Sequence, residues 1–374
     1  MEVLRDLRTQ GDVTALGRIL LAIVVSVMLG ACAGPQAPID PQKPIVRGPN
    51  WPVKSREHVD LWLHGYALLL EDTATVPIFA RDYRTLITIE KNKRAVYTPF
   101  DSLRSSFAAT LRNRPALEGA QFLALYFGSW EEMRQAFDYF LKAEGDANRS
   151  GNREVAGIVA FLAQQYPRAE DRAFAKRFLV ALEAERAAFF HDWWVQEQRV
   201  RTTGLSTFDS LWQSKWRPAL QPYLNHTQQT SGDLLLSMVL GGEGRAVPAG
   251  KQLSQYAVAW PRSADSAAVA LFVFAHEAAG AIAAVAINDH LTPVQQREGV
   301  GTRLQAVGLV RGGALLVERI DPTLTEAYAR WYLAQSGKPV PTSDALVALT
   351  EAFPMPAEMI ESMRRQIRIA GSGI

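Results

Sequence analysis

Only one cysteine, Cys32, occurs in the 374 residues. No disulfide can close within the chain, so packing alone must stabilise it if it is exported. Charge of either sign is not in excess: 40 Lys and Arg stand against 38 Asp and Glu, a net +2. Nothing in that balance argues for nucleic acid as a partner or for a polybasic membrane patch. Histidines number six, which limits metal and acid–base chemistry to few positions. No repeat of fixed period is visible. Ser237 and Ser254 lack a G-x-S-x-G setting, and no Ser-His-Asp constellation can be assembled. The glycine-rich residues 241–245 lack the Gly-Lys-Ser/Thr ending and following helix of a phosphate loop, and read instead as a hairpin connection. Against these absences, 48% apolar and 21% charged residues are ordinary for a globular protein with a real core, and the length suits two domains or one large one.

The N-terminus carries the strongest local signal. Arg5, Arg8 and Arg18 precede the apolar residues 19–29, a run short of the ~20 needed to span a bilayer as a helix. The run ends in Leu29-Gly30-Ala31-Cys32. This resembles the lipobox of bacterial lipoproteins, in which small residues let the peptidase hold an extended backbone before the cysteine that receives diacylglycerol. The resemblance implies a signal peptide at 1–31, lipidation of Cys32 and membrane attachment through that lipid. Ala33-Gly34 follow, without the Asp that favours inner-membrane retention, so the expected location is the cell envelope, at the outer membrane if the organism has one. Residues 32–56, with Pro35, Pro38, Pro41, Pro44, Pro49 and Pro52, read as an extended tether.

Beyond the tether, helical periodicity dominates. Val59, Trp62, Leu63, Tyr66, Leu69 and Leu70 mark a first helix, Asp101 stands where an N-cap belongs, and residues 168–201 read as one long helix without Gly or Pro. A helical lobe is expected over 57–203. After Gly204 the apolar runs 234–240 and 256–260 read as short strands, and Pro-broken helices follow to the end, including an amphipathic one at 357–369. The fold class is mainly α with a small β element, the second lobe covering 204–374.

Residues 267–287 form a long apolar segment in which only His276 and Glu277 are strongly polar. Three readings are open: a membrane span, a buried core helix with a satisfied His–Glu pair, or the active-site helix of a metallopeptidase. The third is motivated by His276-Glu277-Ala278-Ala279-Gly280, which fits H-E-x-x-H except at its last position. In that motif two histidines one helical turn apart hold Zn²⁺ and the glutamate polarises the metal-bound water. The region around residues 230–335 resembles gluzincin-type zinc metallopeptidases, whose third ligand is a glutamate on a later helix. The resemblance implies His276 and Glu318 as metal ligands, Glu277 as the catalytic base and zinc as the cofactor, in a degenerate zincin-like C-terminal lobe. Gly280 departs from the pattern because glycine has no ligand atom, and His290 lies too far along a straight helix to replace it. Two function classes therefore stand: a peptidase-like envelope protein that has lost classical zinc chemistry, and a non-catalytic envelope lipoprotein with a binding or structural role.

Overall fold

The computed structural model describes residues 51–72, 74–250 and 253–372. Cys32, the lipobox and the tether as far as residue 50 lie outside the described residues. As expected, the protein is mainly α with a small sheet. Helices α1 (Glu57–Leu69), α2 (Tyr83–Lys93), α3 (Pro99–Asn113), α4 (Trp130–Lys142), α5 (Arg153–Gln165), α6 (Ala169–Glu185) and α7 (His191–Val200) precede α8 (Thr202–Leu211) and α9 (Arg217–His226). Strands β1 (Val53–Lys54), β2 (Ser231–Ser237), β3 (Arg245–Gly250) and β4 (Leu253–Ala259) form one sheet in the order β1-β2-β4-β3. Then come α10 (Ala268–Ala278), α11 (Gly280–His290), α12 (Pro293–Arg297), α13 (Val300–Ile320), α14 (Thr325–Gln335), α15 (Ala345–Ala352) and α16 (Ala357–Ser372).

Local chemistry explains where these helices start. Thr98 is the N-cap of α3, and Asp101 is its partner three residues on, its carboxylate accepting from the Thr98 N–H at 2.8 Å. The expected cap at Asp101 is thus the far half of a capping box. Ser129 caps α4 by accepting from the Glu132 N–H. The long helix expected over 168–201 is present as α6 and α7 joined by a π-helical turn, Arg186–Phe190.

The sheet differs from the expected hairpin. β2 and β4 run parallel, with Leu234 opposite Tyr256, and β3 pairs antiparallel with the outer side of β4. The turn at 241–245 therefore leads β2 across β4 to an edge strand and does not fold two neighbours together. Its backbone is locked elsewhere: the N–H groups of Gly241 and Gly242 donate to Ile78 and Pro77 carbonyls.

One continuous apolar core runs through the protein. Residues 51–56, read from sequence as tether, are instead part of the folded body: Trp51 is fully buried in that core against Trp212, Tyr256 and Phe274, and β1 pairs parallel with β2. The expected lobe boundary at 203/204 falls inside α8, and buried Arg201 donates to the Trp260 carbonyl across it. The stretch Ala264–His290 is, among the described residues, the one long and apolar enough to cross a membrane, and 72% of its most apolar window is buried inside the body.

Candidate functional site

The segment expected as one helix over 267–287 is two, α10 and α11, joined at Ala279. At the joint the Tyr223 hydroxyl donates to the Ala278 carbonyl at 2.7 Å. His276 and Glu277 stand in the last turn of α10. His276 is 1% exposed, its Nδ1 lies 3.0 Å from Glu277 Oε1, and its ring stacks on Tyr332 of α14 with centroids 5.4 Å apart. Tyr332 in turn donates to the Gly242 carbonyl. Glu277 Oε1 also accepts from the Gly244 N–H at 3.2 Å. The pair therefore joins three pieces of chain: α10, α14 and the glycine-rich turn.

The electrostatics follow from these contacts. Burial pushes the Glu277 carboxyl up, but the hydrogen bond from His276, the Arg245 charge and the Gly244 N–H outweigh it and hold it below the usual carboxylate range. Glu243, half-buried on the turn, is raised by burial and by the nearby Glu277 charge, which His276 and then Arg245 only partly offset. The Arg245 guanidinium itself sits 4.6 Å over the Phe122 ring. His276 Nε2 is buried and has no hydrogen-bond partner among the described residues.

Zinc does not fit these residues. Gly280 supplies no ligand atom, and what stands against it on α13 is the apolar Leu309, whose Cδ2 would lie 3.2 Å from an added Cβ. On α13 the residue against His276 is Gly313, whose added Cβ would lie 3.1 Å from the His276 backbone. Glu318, the expected third ligand, is exposed. It stands five residues past Gly313, about 140° further round the helix, so it faces solvent while His276 is enclosed. That expectation is corrected: the structure does not bring His276 and Glu318 together. Among the described residues no three His, Cys, Asp or Glu side chains gather closely enough to hold a metal ion.

Of the other histidines, His226 ends α9 and the rest have structural partners. His58 bonds the Phe127 carbonyl, His64 lies between Tyr83 and Glu185, and His290 bonds the Ala286 carbonyl. His191 is exposed and paired with Glu57. Two buried polar centres were not foreseen. Asp60 accepts from Ser237 Oγ and Trp194 Nε1, and Glu185 accepts from Lys91, Thr98 and His64. Their partners are far apart in the chain, so spacing carries no trace of them. Glu243 was legible only as part of a turn.

No family model, no curated protein and no solved structure matches this chain.

Proposed function

We propose that this protein is a bacterial lipoprotein held on the cell envelope by lipid on Cys32, and that its folded body works by binding or as structure, without zinc-dependent hydrolysis. The C-terminal part keeps the His–Glu pair of a metallopeptidase-like helix but puts it to another use. The observation that carries this reading is the position of α13. It sets the apolar Leu309 against Gly280 and Gly313 against the His276 backbone, so α13 brings no ligand atom to the side on which a second ligand would stand. Glu277 is engaged as a joint between α10 and the Gly244 N–H, and not as a base beside a metal-bound water.

The test uses the full chain purified from membranes without chelator. No stoichiometric zinc and no hydrolysis of casein or of quenched peptides are expected. Glu277→Gln keeps both acceptor contacts geometrically, so it should retain the fold and lower stability by only about 1 kcal/mol, whereas Glu277→Ala strands the buried donors and should cost about 3 kcal/mol. Cys32→Ala should leave a longer, unlipidated precursor that partitions into the aqueous phase of a detergent split. One zinc per chain with hydrolysis that Glu277→Gln abolishes would overturn the non-catalytic reading, and a wild-type protein found wholly in the aqueous phase would overturn the anchor.

A further inference from the structure

A cavity of about 330 Å³ opens where the end of α1, the chain that follows it, α3 and the 3₁₀ helix Pro115–Tyr126 meet. None of its lining residues belongs to the His276–Glu277 joint. Its volume is roughly twice that of an engineered apolar cavity that takes up benzene, and at the lower end of the range for small-molecule sites. Part of its lining is apolar and buried: Leu69, Phe79 and Leu111. Charge of both signs lines the same space, from Arg112 on α3, Glu118 on the 3₁₀ helix and Glu71 just after α1.

These charges are not engaged with the protein. Arg112, Glu118 and Glu71 make no side-chain ion pair or hydrogen bond with another described residue. Asp72, which also lines the cavity, is engaged: its carboxylate accepts from the N–H groups of Ala74, Ile78 and Phe79 and so fixes the chain on one side of the space. A neighbouring cavity of about 250 Å³ shares Glu71 and Asp72, but its cations are engaged too, Arg84 with the Ala67 and Leu70 carbonyls and Arg81 with that of Gln335. Gln121 brings to the first cavity a buried amide oxygen with no partner, an orphan that calls for an N–H donor. An apolar cation alone would leave Arg112 unmatched, and an apolar anion alone would leave Glu118 and Gln121 unmatched. A molecule that carries both charges and an apolar body answers all three parts of the lining.

We propose that this cavity binds a small apolar zwitterion, a free apolar amino acid or a short peptide of such residues. Arg112 takes its carboxylate, Glu118 and the Gln121 carbonyl face its ammonium group, and its apolar side chain lies on Leu69, Phe79 and Leu111. The proposal gives the binding role in the non-catalytic reading a site and a ligand class, and it rests on that reading in one respect, that the ligand is held and not cleaved.

Isothermal titration of the detergent-solubilised full chain with leucine and with leucyl-leucine tests it. One of the two should bind one to one, and the tighter names the source, a free amino acid or a peptide. The controls are that ligand's C-terminal amide, which keeps only the ammonium charge, and its des-amino acid, which keeps only the carboxylate. Each should bind at least about tenfold more weakly, as should glycine, which has the charges without the apolar body. Arg112→Gln, at an exposed side chain, should weaken the tighter ligand about tenfold with an unchanged melting temperature, and Glu118→Gln should weaken it by a similar factor. An amide or a des-amino acid that binds as tightly as the zwitterion, no heat from either ligand up to about 10 mM, or unchanged affinity in both variants would overturn the site. Leucyl-leucine should be recovered intact after the titration. Its hydrolysis to leucine would overturn the non-catalytic reading and leave the site standing, so the two failures are distinguishable.

Discussion

His58 and Asp60 stand two residues apart on one buried helix and respond to pH in opposite directions. Burial drives the His58 imidazole down from 6.5 to about 4, the Phe127 carbonyl opposing only part of this. Between those values the unfolded chain binds the extra proton, so His58 makes stability fall as pH falls from 6.5 toward 4. Burial drives the Asp60 carboxyl up from 3.8 to about 6 against the bonds from Ser237, Trp194 and Met238. There the folded chain holds the extra proton, so stability is lost as pH rises from 3.8 to 6. Each contribution is on the order of 3 kcal/mol at its limit. Glu185 has its carboxyl held down to about 2 by His64, Thr98 and Lys91 in spite of burial, so its loss on acidification begins only below 4.5. Between about pH 4.5 and 6 the first two slopes oppose each other. Asp60→Asn removes one of them. Its urea midpoint should climb with pH across that window, while the wild-type midpoint stays comparatively level; parallel profiles would show that Asp60 is not the group titrating.

At the scale of elements, the contact between α13 and the α10–α11 pair decides the fate of the His–Glu motif. Gly313 lies against the backbone of His276, which cannot yield without moving a helix. Gly313→Ala should therefore cost about 1–3 kcal/mol, as overpacking does in a tight interior. Gly280 meets only the end of the Leu309 side chain, which can rotate away. Gly280→Ala recovers helix propensity worth up to about 1 kcal/mol, so it should be neutral or stabilising. Thermal melts of the two variants, compared side by side, check the asymmetry; an equal loss in both would mean that α13 does not approach as described. The helices themselves were readable from periodicity. Their partners were not, because an apolar stripe states that a face is buried and leaves open which other face covers it. For the same reason Gly280 and Glu318 could be placed on helices from sequence while their orientation toward His276 could not.

At the scale of the whole molecule, the chain entering at Trp51 stitches the N-terminal helices to the sheet. Trp51 packs against three aromatics from later elements, and its carbonyl accepts from Trp212 Nε1 and Gln213 Nε2. Trp51→Ala should cost about 3–5 kcal/mol, the range for a large aromatic deleted from a core. Because one core spans both expected lobes, the loss should appear as a lower midpoint of a single unfolding transition. Two separated transitions, only one of them shifted, would show that the lobes unfold independently. The sequence placed Trp51 in a tether because proline density surrounds it, and composition is blind to the fact that one tryptophan in such a stretch can fill a hole made by residues 212, 256 and 274.

Sequence alone determined the mainly helical class, the positions of several long helices, the apolar segments that hold β2 and β4, and the isolation of His276 and Glu277 in an apolar segment. These follow from short-range rules: side-chain periodicity, capping and the avoidance of Gly and Pro within helices. The proposed lipobox also rests on a local pattern, which is why it could be proposed without any fold. Tertiary structure alone decided that β2 and β4 are parallel, that α13 packs against Gly280, that Glu318 faces solvent, and that Glu277 accepts from the Gly244 N–H while His276 stacks on Tyr332. Each of these depends on contacts between residues tens of positions apart. Such contacts are selected by mutual shape and by the requirement that buried polar groups find partners, and neither condition leaves a spacing in the chain.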